Sequence, residues 1–192
     1  MKKILVTGCA GFIGFHYCKR LIQEGYNVIG IDNLNDYYDK NLKLSRLHIL
    51  KSSEKKDNFR FIKADIVEFD KIKVLFKEEK PEIVINFAAQ AGVRYSISNA
   101  EDYAKTNLLG FFNILECCRN YEVRHLIYAS SSSVYGGNKI LPFSEKDKVV
   151  IDNIVNIITQ DIEMLVDRDI NKFTASINQK LKIFSNQTSA IG

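Results

Sequence analysis

Three glycines, Gly8, Gly11 and Gly14, punctuate the segment VTGCAGFIG, which leads from an apolar run into a helical pattern. Such a loop aims free backbone N–H groups at one point, and the dipole of the following helix adds positive potential there. The chemistry that suits it is the grip of a pyrophosphate. Glycines let the backbone turn tightly and approach the phosphates, and the last lets helix and strand pack closely. The spacing is G-x-x-G-x-x-G rather than the commoner G-x-G-x-x-G, so the loop alone is a weak signal. Asp32 strengthens it by closing a second apolar run about twenty residues further on. An acid there accepts both hydroxyls of an adenosine ribose and repels a 2′-phosphate. Loop and acid together predict a dinucleotide site that favours NAD over NADP.

Other polar residues stand at the ends of apolar runs. Asp65, with Ile66, ends the third run, where its carboxylate would bond an adenine amino group or cap the next helix. FAAQAG, residues 87–92, ends the fourth with small side chains that let a cofactor lie close. The four cysteines, Cys9, Cys18, Cys117 and Cys118, form no C-x-x-C pair, which excludes a zinc knuckle and a redox motif. They read as reduced thiols of a cytoplasmic protein, and no metal site is predicted.

The elements that must position these residues follow from periodicity. KKILVTG, NVIGID, FRFIKAD, EIVINFAA after Pro81, and HLIYASSSS read as five strands. After the glycines, Phe12, Ile13, Phe15, Tyr17, Leu21 and Ile22 recur at helical spacing up to Gly25. A second helix is expected over 68–79, with Ile72, Leu75 and Phe76 on one face. A third is expected over 100–119, with Tyr103, Leu108, Phe112 and Leu115. Alternating strand and helix means βαβ units. The near-continuous apolar strands mean a parallel sheet covered on both faces. The fold class is therefore α/β, a doubly wound parallel sheet with its switch point beside the first strand. The ligand crevice lies there, at the carboxyl ends of the strands.

Bulk properties bound the rest. At 192 residues the chain has room for one sizeable core, and 46% hydrophobic with 26% charged residues is ordinary for a globular domain. The net charge of +4 is mild and the lysines are scattered, so no nucleic-acid or membrane partner is expected. The opening MKKILVTGCAGFIGF superficially resembles a signal peptide. Its apolar part is broken by glycines and runs into His16 and Lys19, which fits a buried strand better. No apolar stretch is long enough to span a membrane. Composition changes near residue 149. Beyond it there is no Pro or Tyr, and no Gly before Gly192; Ile154, Ile158, Ile162 and Leu165 lie in an amphipathic stripe. Residues 1–149 are thus expected to form the dinucleotide-binding domain and 150–192 a helical tail.

Further segments carry a resemblance: DNLNDYYD from Asp32, AD with Ile66, NFAAQAGVRYSI from Asn86, NLLG from Asn107 and YASSSSVYG from Tyr128. With TGCAGFIG they resemble, in order and spacing, the extended short-chain dehydrogenases/reductases, and among these the nucleotide-sugar epimerases. AAQAGVRYSI with SSSSVYG looks most like the UDP-glucuronate 4-epimerase branch. The resemblance implies a Rossmann fold holding NAD tightly. It implies a UDP-sugar oxidised at its 4-hydroxyl by hydride transfer to NAD, turned over as the 4-keto sugar, and reduced on the other face. In the family a Tyr takes the hydroxyl proton, and a Lys four residues later lowers that Tyr's pKa. It also implies pyrophosphate contacts from the N–H groups of Phe12 and Ile13, and cofactor contacts from Asn33, Phe87, Ala88, Ala89, Gln90 and Ser130. Thr106 or Asn107 would lie near the nicotinamide half. Ser131 matches the family's catalytic Ser. Ser132 and Ser133 stand where related dehydratases carry an Asp-Glu pair for eliminating water, which points away from a dehydratase. Arg94 lies in a loop that approaches the sugar and its diphosphate, where it would pair bidentately with an anionic group or remain solvated.

The resemblance fails after about residue 149. Asn156 stands where the Tyr belongs and Gln160 where the Lys belongs; neither titrates, so the pair supplies no base. No Tyr follows Tyr135. Tyr135 and Lys139 are four apart in YGGNK, but Gly136 and Gly137 between them argue for a loop, and the match reads as a decoy. The family's C-terminal nucleotide-sugar region is also missing. The expectation is an incomplete epimerase, inactive alone, that takes its UDP-sugar only if the missing region is supplied. The other readings are an NAD-binding module without chemistry and the product of a broken gene. The resemblance implies dimerisation through two helices; 100–119 would be one, while the other would fall in the altered tail, so a homodimer is left open.

Overall fold

The five apolar runs become five parallel strands: β1 (Lys3–Thr7), β2 (Asn27–Asp32), β3 (Phe59–Lys63), β4 (Ile83–Asn86) and β5 (His125–Tyr128). The structure is a computed structural model that describes residues 2–130. Ser131, Ser132, Ser133, Asn156, Gln160, the Tyr135–Lys139 match and the predicted tail lie outside the described residues. All elements below belong to one compact unit, Met1–Ala129.

Strand order is β3-β2-β1-β4-β5. β1 therefore pairs with β2 on one side and β4 on the other; Val6 faces Gly30 in one ladder and Ile85 in the other. This is the predicted switch point. Alternation along β1 splits the core in two, because successive side chains point to opposite faces. Ile4 and Val6 join Phe15, Cys18, Leu21 and Ile22 of α1 (Phe12–Gln23) and Leu47 and Leu50 of α2 (Lys40–Lys51). Leu5 joins Ile72, Leu75 and Phe76 of α3 (Phe69–Glu79) and Ile114 of the helix near 111–120. Helices thus cover both faces, as the alternation of elements predicts.

Three details differ from expectation. Phe12 and Ile13 are not in the buried stripe of α1: they are 67% and 60% exposed. Both line the cavity described below rather than the core, which the same turn reaches through Phe15. No helix is read from the sequence between β2 and β3, yet α2 stands there. It begins at Asp39, whose carboxylate accepts from the Asn41 N–H at 2.9 Å, the usual work of an N-cap. Its buried residues are Lys43, Leu47 and Leu50, and a charge in the stripe masks the period.

The third difference is the helix expected over 100–119. After α4 (Val93–Ser98), the chain runs through α5 (Ala100–Ala104), a π-helical segment (Lys105–Gly110) and α6 (Phe111–Asn120). A π turn takes one residue more than an α turn and rotates everything after it. Buried Ala104 is followed five positions later by buried Leu109, then by Asn113 and Cys117 at steps of four. Leu115, expected inside, is 41% exposed.

All four cysteines are free thiols. Burial pushes Cys18 and Cys118 up to about 12 and Cys117 up to about 11. They are protonated at neutral pH and poor nucleophiles.

Candidate functional site

A cavity of about 550 Å³ opens where the chain leaves β1, β2, β3 and β4 at their carboxyl ends. The glycine loop lines it with Gly8, Gly11 and Gly14, joined by Phe12 and Ile13. Asp32 and Asn33 contribute from the end of β2, and Asp65 and Ile66 from beyond β3. Phe87, Ala88, Ala89 and Gln90 contribute from beyond β4, and Thr106 from the π segment. The glycine loop, Asp32 with Asn33, Asp65 with Ile66, and Phe87 to Gln90 are gathered because each group lies at or just past a strand end. Ser130 is not among the lining residues; it is exposed, next to Ala129, which does line the cavity. Arg94 is exposed on α4, a helix rather than a loop, and does not line it either.

The loop is held from behind. Gly8 has φ +67°, a left-handed conformation that suits Gly. Its carbonyl accepts from the Gly11 N–H at 3.0 Å. A Cβ at Gly8 would lie 2.8 Å from the Ala88 nitrogen, so the loop is pressed against the backbone that follows β4. Thr7 locks the two together: its hydroxyl donates to Asn86 Oδ1 at 2.7 Å and accepts from the Ala88 N–H at 3.0 Å. Both Thr7 and Asn86 are buried. Thr7→Val keeps the shape and removes only the hydroxyl, leaving a buried donor and acceptor unpaired. It is expected to cost about 1–3 kcal/mol, read as a lower urea midpoint at unchanged slope.

Asp32 is buried, and its carboxylate is oriented by three neighbours. Oδ2 accepts from the Ala10 N–H at 3.1 Å and Oδ1 from the Leu34 N–H at 2.9 Å. Lys43 Nζ lies 3.7 Å from Oδ1. Asp65 is not a helix cap, since α3 begins after Glu68. Instead its Oδ1 accepts from the Val67 N–H at 3.0 Å and its Oδ2 from the Asn33 amide at 2.9 Å, tying the ends of β2 and β3 together. Asn113, fully buried on α6, holds the same turn by donating to the Ile66 and Val67 carbonyls at 2.9 and 3.1 Å. On the far side, Asn107 and Gln90 exchange hydrogen bonds: the Gln90 N–H donates to Asn107 Oδ1 at 2.8 Å, and Asn107 Nδ2 donates to the Gln90 carbonyl at 3.0 Å. Of the two alternatives, Thr106 lines the cavity and Asn107 fastens its wall.

Sequence reading missed one wall, because it missed α2. Lys43 and Arg46, one helical turn apart, line the cavity together with Tyr37 and Tyr38. Arg46 donates to the Ala10 carbonyl at 3.1 Å and to the Tyr38 hydroxyl at 2.9 Å. The Tyr37 ring packs edge-on against Tyr95 of α4, centroids 5.1 Å apart. The available signal was Asp39 as an N-cap before Leu42, Leu47 and Leu50. Among the described residues, no group of three or more His, Cys, Asp or Glu is placed to hold a metal ion, and no helix is long and apolar enough to cross a membrane.

A parallel sheet wound in both directions from β1, with a glycine loop at the switch point and an acid ending the next strand, defines the Rossmann class. Residues 5–151 match the GDP-mannose 4,6 dehydratase family, and the chain belongs to that family. Protein CapI of Staphylococcus aureus is 52% identical over 147 residues, which make up 77% of this chain and 43% of that protein. A UDP-glucuronate 4-epimerase of Thermodesulfobacterium geofontis is 46% identical over 145 residues, 76% of this chain and 44% of that one. Among solved structures, UDP-glucuronic acid 4-epimerase from Bacillus cereus, in complex with UDP-glucuronic acid and NAD, matches with a TM-score of 0.64 at 34% identity. That match covers 75% of this chain and 44% of the other. The chain spans less than half the length of these relatives.

Proposed function

We propose that the cavity binds NAD and that the chain carries the cofactor-binding part of a nucleotide-sugar 4-epimerase of the UDP-glucuronate type. The observation that carries this reading is the convergence of the glycine loop and Asp32 on one cavity. The residues fit the cofactor. The absence of a Cβ at Gly8 and Gly14 lets the loop pack against the backbone at Ala88 and against itself, which sets it along the cavity. Phe12 and Ile13 open α1, where a helix leaves its N–H groups unpaired for an anion. Asp32 would take the adenosine ribose, and Asp65 with Ile66 the adenine. Phe87, Ala88, Ala89 and Gln90 would lie along the middle of the cofactor, with Thr106 toward the nicotinamide and Ser130 close by. When bound, NAD supplies a reversible hydride acceptor.

Ser131 would hydrogen-bond the reacting sugar oxygen, with Arg94, Ser132 and Ser133 on the substrate side. Asn156 and Gln160, in place of the family's Tyr and Lys, neither accept nor release a proton at neutral pH. That substitution favours a second reading, an NAD-binding module without chemistry. UDP-glucuronate added with NAD distinguishes the two: interconversion of the 4-epimers supports the enzyme, and NAD binding without turnover supports the module.

The cofactor site itself is tested by calorimetric titration with NAD. Asp32→Ala removes two charge-assisted hydrogen bonds to the ribose and is expected to weaken binding about 10- to 100-fold. Unchanged affinity would take Asp32 out of the site.

A further inference from the structure

Strand order places β1 between β2 and β4, so the segments that leave those two strands start about 10 Å apart, two strand spacings. Between them lies the end of β1, where the glycine loop departs. A contact that joins the two segments therefore spans the crevice. Tyr37, beyond the end of β2, and Tyr95, beyond the end of β4, make such a contact: their rings meet edge-on with centroids 5.1 Å apart. The crossing passes over Gly92, where a Cβ would collide with the Tyr37 hydroxyl. Gly92 also has φ +94°, so the crossing needs Gly there on both counts. Tyr95 is fixed in turn by its hydroxyl, which donates to Asp102 Oδ2 of α5 at 3.1 Å. Tyr37 and Ala91 line the cavity, whereas Tyr95 is not among the lining residues. Tyr37 thus has one side toward the cavity and 41% of its surface open to solvent.

We propose that Tyr37 and Tyr95 form a clasp across the mouth of the cavity, which must part each time the dinucleotide enters or leaves. This rests on the NAD-binding reading above. The contacts of the clasp are made within the protein, ring on ring and Tyr95 on Asp102. They favour the closed crevice equally with the cofactor bound or free, and a contact with no preference between those two states shifts no binding equilibrium. The clasp therefore slows entry and exit alike and leaves affinity nearly untouched. A single aromatic edge contact is a modest closing force, so exchange is slowed rather than blocked.

The test follows NADH, the reduced form of the cofactor, by stopped-flow fluorescence with the full chain. Tyr95→Ala lies outside the cavity lining. It is expected to raise the association and dissociation rate constants together, each about 3- to 10-fold, with Kd kept within about twofold. Tyr95→Phe keeps the ring and loses the Asp102 bond, so its rates should fall between those of wild type and Tyr95→Ala. In a Tyr37→Ala background, Tyr95→Ala should change neither rate further, because both substitutions remove one contact. Unchanged rates in Tyr95→Ala overturn the proposal. So does faster dissociation alone with a matching loss of affinity, which would make Tyr95 a support for the shape of the site. The same acceleration by Tyr95→Ala with and without Tyr37 overturns it too. Tyr37→Ala gives a reading that does not depend on α4: dissociation at the wild-type rate there overturns the clasp. A wild-type chain that binds no NADH would overturn the NAD-binding reading itself and this inference with it, whereas NADH binding with unmoved rates overturns this inference only.

Discussion

Gly14→Ala is expected to destabilise the fold by more than about 3 kcal/mol and to abolish cofactor binding. The direction is opposite to the usual one. Within most helices, Gly to Ala stabilises by roughly 0.5–1 kcal/mol, because Ala has less backbone freedom to lose. Gly14 is the third residue of α1, and a Cβ there would stand 2.1 Å from the Gly8 carbonyl oxygen and 2.8 Å from its carbon. Both are backbone atoms, so no side chain can swing aside. Gly8 cannot retreat either, because the Ala88 nitrogen lies behind it. The loop must lift off the helix, and it is the loop that lines the cavity. Urea unfolding and an NAD titration of the same variant check both halves. Wild-type stability in that variant would mean that α1 and the loop are further apart than described.

Asn113→Ala is the second substitution with a large expected effect, about 2–4 kcal/mol. Asn113 is fully buried, and its amide bridges two consecutive carbonyls, Ile66 and Val67. Truncation takes the amide donor from the Ile66 carbonyl, leaves the Val67 carbonyl only the Phe69 N–H at 3.0 Å, and opens a void between α6 and the sheet. A loss of this size lowers the melting temperature by roughly 4–16 °C, since 1 kcal/mol is worth about 2–4 °C in a chain of this length. Asn113→Leu is expected to recover little, because it fills the void but donates nothing. A melting temperature unchanged in either variant would show that the turn after β3 is held by other means.

How much could be read beforehand varies with how local the cause is. The strands were legible because each is a short apolar run ended by Gly or a polar residue, and NVIGID matches β2 residue for residue. Their ends were legible for the same reason, so the lining that stands at strand ends, namely the glycine loop, Asp32, Asp65 and the residues after β4, could be listed without knowing the strand order. α2 was not legible. Its buried stripe includes Lys43, and a lysine belongs in a stripe only if its partner is known; that partner, Asp32, is set by the sheet and not by the helix. The face of the helix at 100–120 was misjudged because one residue of π geometry is invisible to a 3.6-residue period. Phe12 and Ile13 have core-type side chains at a position that the site, not the core, requires. In each case the missing information is a contact made across the chain.

The π segment at Lys105–Gly110 also separates two jobs that a uniform helix would tie together. In a continuous α-helix, the angle at which one end meets its neighbours dictates the angle at the other. Here the slack residue acts as a phase adjuster. The half that carries Thr106 and Asn107 to the cavity wall can be aimed independently of the half that seats Asn113, Ile114 and Cys117 in the core. Site and scaffold are thus timed separately along a single helical stretch.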